Sequence, residues 1–219
     1  MIAHLIQKIA LLTIPILAAV TVHELAHGYV AYRLGDPTAK ESGRLTLNPF
    51  KHIDPLGALV FFLTQAIGWA RPVPVDPRYF RHPRQDMVWV SLAGPMANLL
   101  LAATLALALR AWPFIYQPLS WLSPALASAV LKPLLLMAYL AVQINIGLAI
   151  FNLLPVPPLD GSKILYGLLP PELARRYAYL EPVGFVIILA LVFTGVIDKI
   201  ILPPIIWLSG LFLGNLVQI

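Results

Sequence analysis

The stretch IPILAAVTVHELAHGYVAY, residues 14–32, is an apolar run that carries two histidines and a glutamate in its interior. A run of this length predicts a membrane-spanning helix, since ~20 apolar residues cross a bilayer. His23 and His27 are four positions apart, so they lie on the same face of that helix, with Glu24 beside them. Ionisable side chains are costly inside a membrane and indicate function there.

The pattern H-E-x-x-H at residues 23–27 is typical of zinc hydrolases. Both imidazoles can bind one Zn²⁺, and Glu24 is placed to act on the water that the metal activates. The alternative is a polar cluster that packs between helices, which the membrane setting makes costly. The chain has 0 cysteines, so histidine and carboxylate are the remaining strong ligands. We expect one Zn²⁺ per chain, bound by His23, His27 and a third residue.

The composition indicates that most of the chain lies in a membrane. Hydrophobic residues make up 59% and charged residues 11% of the 219 residues, whereas a soluble domain is about a quarter charged. The mean hydropathy is +0.82. We expect an all-α polytopic membrane protein whose main contact is the lipid bilayer. Nucleic acid is a poor partner, because the basic residues are scattered between apolar runs rather than gathered on one face.

We expect residues 1–219 to form a single domain with about five transmembrane helices. Apolar runs alternate with turn-rich stretches along it and mark its segments. The predicted segments are the H-E-x-x-H helix at 1–34, a hairpin and re-entrant region at 35–86, core helices at 87–110 and 133–154, a loop at 155–181, and a C-terminal helical pair at 182–219 joined near Asp198-Lys199. The alternating residues 44–47 predict a short membrane-associated β-hairpin. Residues 56–69 are apolar but too short to span, which favours a re-entrant segment.

Lysines and arginines are distributed unevenly between the ends of these helices. If residues 56–69 do not cross, the basic residues of 33–84 and of 163–176 share one side. The other side then holds only Lys8, Arg110, Lys132 and Lys199. By the positive-inside rule, we expect the N-terminus outside and the large loop and active site toward the cytoplasm. The expected location is the inner (plasma) membrane of a prokaryotic cell.

Candidates for the third zinc ligand are four carboxylates, Asp36, Glu41, Asp54 and Asp160. Topology favours Asp160, because it follows a helix that exits on the side where His27 lies. The residues before it are rich in proline, and an extended segment at membrane depth must be buried in protein or line a wet cavity. Gly161 is expected to allow a sharp turn there.

Together, H-E-x-x-H at 23–27 and N-x-x-P-x-P-x-L-D-G at 152–161 resemble the site-2 protease family of intramembrane zinc metalloproteases. The resemblance extends from the first helix to about Gly167 and is to the minimal form, without a PDZ or CBS domain. It implies that Asp160 is the third zinc ligand and that Asn152 helps to hold the substrate or the oxyanion. Residues 43–55 are similar to the family's membrane-associated β-hairpin, and residues 91–98 to its central-helix motif.

The expected function is therefore hydrolysis of peptide bonds in transmembrane protein substrates, whose helices must unwind locally to expose a bond. Glu24 would act as the general base. Two alternatives remain. A membrane metal transporter would use Glu24 as a fourth ligand, and an inactive relative would bind transmembrane partners without cutting them.

Other polar residues of the predicted helices receive structural interpretations. Ser91, Asn98 and Asn145 are expected to form hydrogen bonds between helices rather than to act in catalysis. The remaining histidines, His4 among them, lie away from the motif and are not assigned a catalytic role.

Overall fold

The computed structural model describes the backbone of residues 2–64 and 69–214, and the side chains of residues 9–60 and 69–214. Within these residues the chain folds into ten α-helices, which confirms the all-α prediction. They are α1 (Ile2–Arg33), α2 (Thr38–Glu41), α3 (Pro55–Thr64), α4 (Pro83–Leu122), α5 (Pro124–Leu126), α6 (Lys132–Asn152), α7 (Asp160–Leu168), α8 (Pro171–Ala178), α9 (Gly184–Phe193) and α10 (Val196–Leu213). The end of the predicted C-terminal pair, residues 215–219, lies outside the described part.

Five helical stretches in the described residues are long and apolar enough to cross a membrane. They are Ile9–Arg33, Pro83–Leu122, Pro124–Asn152, Pro171–Phe193 and Val196–Leu213. By length and composition, this number agrees with the predicted one.

Helices α4, α6 and α10 share a core built largely from small residues. Ala102 and Ala106 of α4 are buried against Val142 and Ile146 of α6, and Leu213 of α10 completes the cluster. Alanines at such positions let the helix backbones approach closely, which is how membrane helices gain packing energy. The same closeness allows side chains on different helices to meet at one site.

Helix α10 runs antiparallel to α6. The hydroxyl of Ser209 donates a hydrogen bond of 2.8 Å to Oε1 of Gln143. One turn farther along α6, a Cβ placed on Gly147 would lie 3.9 Å from Cδ1 of Ile205. Residue numbers therefore rise along α6 in the direction in which they fall along α10.

The start of α4 lies beside the end of α7. The Arg84 guanidinium donates hydrogen bonds to the carbonyl of Tyr166 at 3.1 and 2.8 Å, and another to the carbonyl of Leu169. The chain just before α4 and the chain after α6 are therefore at the same end of the bundle.

The predicted β-hairpin at residues 44–47 is wrong, because this stretch forms turns in the structure. The Arg44 N–H bonds to the carbonyl of Ala39 at 2.9 Å, and the Thr46 N–H to that of Arg44 at 3.0 Å. Local turns thus take up backbone groups that a partner strand would need. The one β-bridge among the described residues is isolated and joins Ile53 to Ala70.

That bridge brings together the two ends of the predicted re-entrant segment. The Arg71 N–H donates a 2.9 Å hydrogen bond to the carbonyl of His52, next to the Ile53–Ala70 pair. Between them, the described part of the segment is α3, whose ten residues span about 15 Å at 1.5 Å per residue. Residues 65–68 of this segment lie outside the described residues.

Two boundaries in the C-terminal third differ from the prediction. The stretch 155–181 holds α7 and α8 rather than a loop alone. The predicted helical pair is joined at Gly195, which has a φ of +69° and separates α9 from α10. Asp198 and Lys199 lie instead in the first turn of α10, because a left-handed residue ends a helix more readily than two charges do.

Candidate active site

Helix α1 presents the two histidines of the H-E-x-x-H pattern toward the interior of the protein. His23 is 5% and His27 9% exposed, and their ring centroids are 4.6 Å apart with the planes nearly perpendicular. Their spacing of one helical turn puts both rings on the face that meets α4. The predicted juxtaposition of the two rings is present in the structure.

Asp160 reaches the same place from a distant part of the sequence. After α6 ends at Asn152, the chain turns through a proline-rich stretch, and Asp160 is the first residue of α7. Its Oδ2 lies 3.1 Å from Nε2 of His23 and 3.2 Å from Nε2 of His27. The carboxylate also lies at a helix N-terminus, where the helix dipole favours negative charge. His23, His27 and Asp160 are the group of described residues that could hold a metal ion.

Gly161 allows this approach for a reason other than the predicted one. A Cβ at Gly161 would collide with the carbonyl of Leu153 and lie 2.5 Å from that of Leu154. The glycine belongs to the first turn of α7 rather than to a sharp turn of its own. Because Gly161 has no side chain, the backbone just after α6 can pack directly against the first turn of α7.

Hydrogen bonds to backbone and amide groups set which nitrogen of each imidazole carries the hydrogen. Nδ1 of His27 lies 2.7 Å from the carbonyl of Val90, which can only accept, so this Nδ1 is the donor. Nδ1 of His23 lies 2.6 Å from Oδ1 of Asn98. Both Nε2 atoms then direct a lone pair toward Asp160. Such outer contacts commonly orient metal-binding histidines.

The resulting set of atoms fits a zinc ion. Two imidazole nitrogens and a carboxylate oxygen face one another at 3.1 and 3.2 Å, and these are the donor atoms that a zinc ion between them would bind. Ligand atoms of a tetrahedral zinc lie roughly 3.3 Å apart, given bonds of ~2.0–2.1 Å. Gly94 keeps the space open: a Cβ there would collide with Nε2 of His27 and lie 2.7 Å from Cε1 of His23.

Glu24 lies outside this group of ligand atoms and contacts an extended segment, residues 71–76. Its Oε2 accepts a 2.8 Å hydrogen bond from the Val73 N–H, and no described residue donates to Oε1. Arg44 lies nearby and is 6% exposed. Burial, the largest effect, and Arg71 lower the pKa of the Arg44 guanidinium, whereas Glu24 raises it. An arginine remains charged after such a shift, so it supplies a positive charge near Glu24.

Segment 71–76 is attached at both ends. Near its start, Nη2 of Arg44 donates a 2.6 Å hydrogen bond to the carbonyl of Arg71. At its end, the Asp76 N–H donates a 2.7 Å hydrogen bond to Oδ2 of Asp36, which is fully buried just after α1. These bonds hold Val73 against α1 beside Glu24.

The other sequence candidates lie elsewhere. Asp36 accepts a hydrogen bond from the Asp76 N–H, and Asp54 accepts one from the Gly57 N–H at 2.8 Å. Glu41 is exposed. None of these three carboxylates joins the histidine pair. Asn152 donates to the carbonyl of Leu148 at 2.9 Å, one turn back in its own helix.

The remaining histidines have other surroundings. His52 is buried and bonds to the carbonyl of Thr46 at 2.9 Å, and His82 precedes α4. The side chain of His4 is outside the described residues.

Sequence reasoning missed two groups of the site, the carbonyl of Val90 and the N–H of Val73. Both are backbone groups and carry no residue-type signal. Gly94 lies in the central-helix stretch 91–98 on the same helical face as Asn98, and that face meets the two histidines.

Comparison with known proteins agrees with this geometry. The sequence model of peptidase family M50 matches residues 11–130 and 114–191. The chain is 41% identical over 192 residues to YwhC of Bacillus subtilis, named as a zinc metalloprotease, covering 88% of this chain and 84% of that protein. It is 30% identical to Rip2 of Mycolicibacterium smegmatis, also named as a zinc metalloprotease, covering 87% of this chain and 70% of that one. No solved structure matches significantly.

The family match covers most of the chain. It includes His23, Glu24, His27 and Asp160, and it ends before α10. The resemblance that the two motifs indicated is thereby confirmed, and this chain belongs to peptidase family M50.

Proposed function

We propose that this zinc metalloprotease cuts peptide bonds within membrane-spanning segments, with zinc held by His23, His27 and Asp160. The observation that supports the proposal best is the convergence of two Nε2 lone pairs and one carboxylate oxygen in a buried space. Bound zinc supplies Lewis acidity, which polarises a carbonyl and lowers the pKa of a water. Zinc bound by these three protein ligands would keep a position for water or substrate, which this chemistry requires.

Glu24 serves as the general base in this proposal. It takes a proton from the attacking water as the water oxygen adds to the scissile carbonyl carbon. It then passes that proton to the leaving nitrogen as the C–N bond breaks. Support comes from its contacts: Oε2 is held by Val73, so the carboxylate has a defined direction while Oε1 can receive the proton. Its place outside the group of ligand atoms distinguishes this role from that of a fourth ligand.

Asn152 is assigned to substrate or oxyanion binding. Its side-chain amide uses one hydrogen for the carbonyl of Leu148, and the second can donate to a peptide oxygen. The substrate is a transmembrane helix that unwinds locally, since a helix with a satisfied backbone presents no accessible bond. The re-entrant assignment of residues 56–69 is supported by the pairing of Ile53 with Ala70, on either side of them.

The active site faces the cytoplasm in the proposed orientation, in a prokaryotic inner membrane. The start of α4, which follows a basic stretch, contacts the end of α7 through Arg84 and Tyr166. Asp160 is at that same end of the bundle. An excess of arginine and lysine is typical of cytoplasmic loops.

Reconstitution tests the proposal. Purified protein in liposomes, mixed with a panel of single-span substrates, should release fragments cut inside the span, and a zinc chelator should stop the reaction. Elemental analysis should find one zinc per chain, lost in His23→Ala and in Asp160→Ala. Full zinc in both variants would refute the ligand assignment. Cleavage confined to soluble peptides would refute the proposed substrate class.

A further inference from the structure

His23 is connected to the interiors of two other helices by a chain of side-chain amides. Oδ1 of Asn98 meets Nδ1 of His23 at 2.6 Å. Nδ2 of Asn98 donates to the carbonyl of Ala19 at 3.0 Å and to Oδ1 of Asn145 at 2.7 Å. Nδ2 of Asn145 in turn donates to the carbonyl of Ala141 at 2.8 Å. Both asparagines are 0% exposed.

Backbone carbonyls give this chain a single direction. A carbonyl can only accept, so Ala141 requires the NH₂ group of Asn145 on its side, and the Asn145 oxygen faces Asn98. That oxygen and the carbonyl of Ala19 both require the NH₂ group of Asn98. The Asn98 oxygen is thereby turned toward His23, whose Nδ1 must carry the hydrogen.

We propose that Asn98, oriented by Asn145, is a positioning residue that keeps the hydrogen of His23 on Nδ1 and its Nε2 lone pair toward Asp160. The proposal rests on the proposed zinc function of His23. The two histidines differ in how this is achieved. His27 is oriented by the backbone carbonyl of Val90, which no side-chain substitution removes. His23 depends on a side chain and can be released by one substitution.

Simple cohesion between helices is the competing role for these amides. Cohesion predicts lower stability after substitution but no change in the imidazole tautomer. A matched control is available, because Gln143 of α6 also bonds across helices, to Ser209 of α10 at 2.8 Å. Gln143→Leu removes a polar contact between helices without touching His23.

The test compares Asn98→Leu with Gln143→Leu in the purified full chain. The zinc dissociation constant is measured by competition with a chelator. ¹⁵N spectra of histidine-labelled, zinc-free protein report the tautomer. Asn98→Leu should bind zinc about 10–100-fold more weakly, the usual effect of removing such a contact. The His23 spectrum should lose its Nδ1–H form while His27 keeps it, and Gln143→Leu should change neither.

Asn145→Leu provides a second variant if Asn98→Leu does not fold. It leaves the carbonyl of Ala19 as one acceptor for Asn98, so a smaller loss of zinc affinity and a mixed His23 tautomer are expected. Unchanged zinc affinity and tautomer in a folded variant overturn the proposal. Failure of the wild-type protein to bind zinc would instead refute the proposed function.

A second observation concerns the apolar stretch 171–193. Its first and last residues both lie at the end of the helix bundle where Arg84 is found. Just before it, Leu169 is bonded to Arg84 at the start of α4. Arg110 lies about 39 Å farther along α4, at 1.5 Å per residue. The Arg110 guanidinium donates a 3.2 Å hydrogen bond to the carbonyl of Leu211, near the end of α10. The chain therefore passes once from the Arg84 end to the Arg110 end between these contacts.

Helix α10 accounts for that single passage. Its 18 residues are about 27 Å long, close to the ~30 Å hydrocarbon thickness, and it runs antiparallel to α6. Hydropathy alone admits stretch 171–193 as a further span. A crossing by this stretch would leave α10 starting at the Arg110 end and running parallel to α6, against the observed pairing.

We infer that α1, α4, α6 and α10 cross the bilayer, and that stretch 171–193 lies in the membrane interface on the side of Asp160. The hydroxyl of Tyr177 donates a 2.8 Å hydrogen bond to the carbonyl of Pro155, which attaches the stretch beside the proline-rich turn. Phe185 and Phe193 are 55% and 84% exposed and can enter the lipid. Basic residues of α8 lie where headgroups are expected, as in interfacial helices.

Single cysteines test this inference, since the chain has 0 of its own. Thr194→Cys lies at the joint between α9 and α10, Tyr179→Cys in the preceding turn, and Gln117→Cys at the far end of α4. In sealed vesicles, a membrane-impermeant thiol reagent should label Thr194→Cys and Tyr179→Cys from one side and Gln117→Cys from the other. Labelling of Thr194→Cys together with Gln117→Cys would overturn the inference and establish stretch 171–193 as a crossing.

Discussion

Oε2 of Glu24 accepts a 2.8 Å hydrogen bond from the backbone N–H of Val73. Pro72 and Pro74 lack an N–H, so Val73 is the sole backbone donor of this tripeptide. A residue before proline is restricted to extended conformations, which keeps that donor pointing in one direction. The proposed general base is therefore oriented by the backbone rather than by another side chain.

Val73→Pro removes the donor that orients Glu24 and should slow the reaction. A hydrogen bond to a charged group contributes about 1.5–3 kcal/mol, so we expect kcat to fall about 10–100-fold. Zinc content and KM should stay near their wild-type values, because the ligands are not touched. Val73→Ala keeps the N–H and serves as the control. Equal kcat values for the two variants would show that the contact does not matter.

Glu24→Gln distinguishes a base from a ligand. Glutamine keeps the size and much of the hydrogen bonding of glutamate but cannot take a proton. We expect the variant to fold, to hold one zinc per chain and to lose at least about 10²–10⁴-fold in cleavage rate. Substrate can remain trapped beside it. Loss of zinc from a folded Glu24→Gln protein would make Glu24 a ligand, as in the transporter alternative.

Gly94→Ala should abolish zinc binding by steric clash with the two imidazole rings. The added Cβ would lie 2.6 Å from Cε1 of His27 and 2.7 Å from Cε1 of His23, well inside van der Waals contact. Gly147→Ala is the matched control in another membrane helix, where the nearest atom is 3.9 Å away. Elemental analysis and thermal unfolding of both variants check this prediction. A Gly94→Ala protein with full zinc would show that the imidazoles are held elsewhere.

The two basic regions should be accessible from the same side of the membrane. Single cysteines at Arg78 and Arg175, both exposed, can be labelled with an impermeant thiol reagent in oriented vesicles. We expect both to react from the cytoplasmic side. Reaction from opposite sides would mean that residues 56–69 cross the membrane, contrary to the proposed re-entrant segment.

Much of the site could be predicted because its information is local. Two histidines one helical turn apart share a face whatever the rest of the chain does. Apolar runs of sufficient length predict membrane helices by composition alone. Topology favours Asp160 as the third ligand and the family resemblance implies it, and the structure brings it to 3.1 Å from His23. The role of Asn152 stays a prediction.

The sequence by itself determined the helical membrane fold, the histidine pair and the family, because periodicity and residue type express these directly. Only the tertiary structure decided which groups surround them. It replaced the expected hairpin at residues 44–47 with turns, since backbone groups bond to whichever partner packing brings near. It also assigned Val90 and Val73 to the site through backbone atoms, which every residue type shares. The direction of α10 follows from contacts such as Ser209 with Gln143, and hydropathy does not record which helices meet.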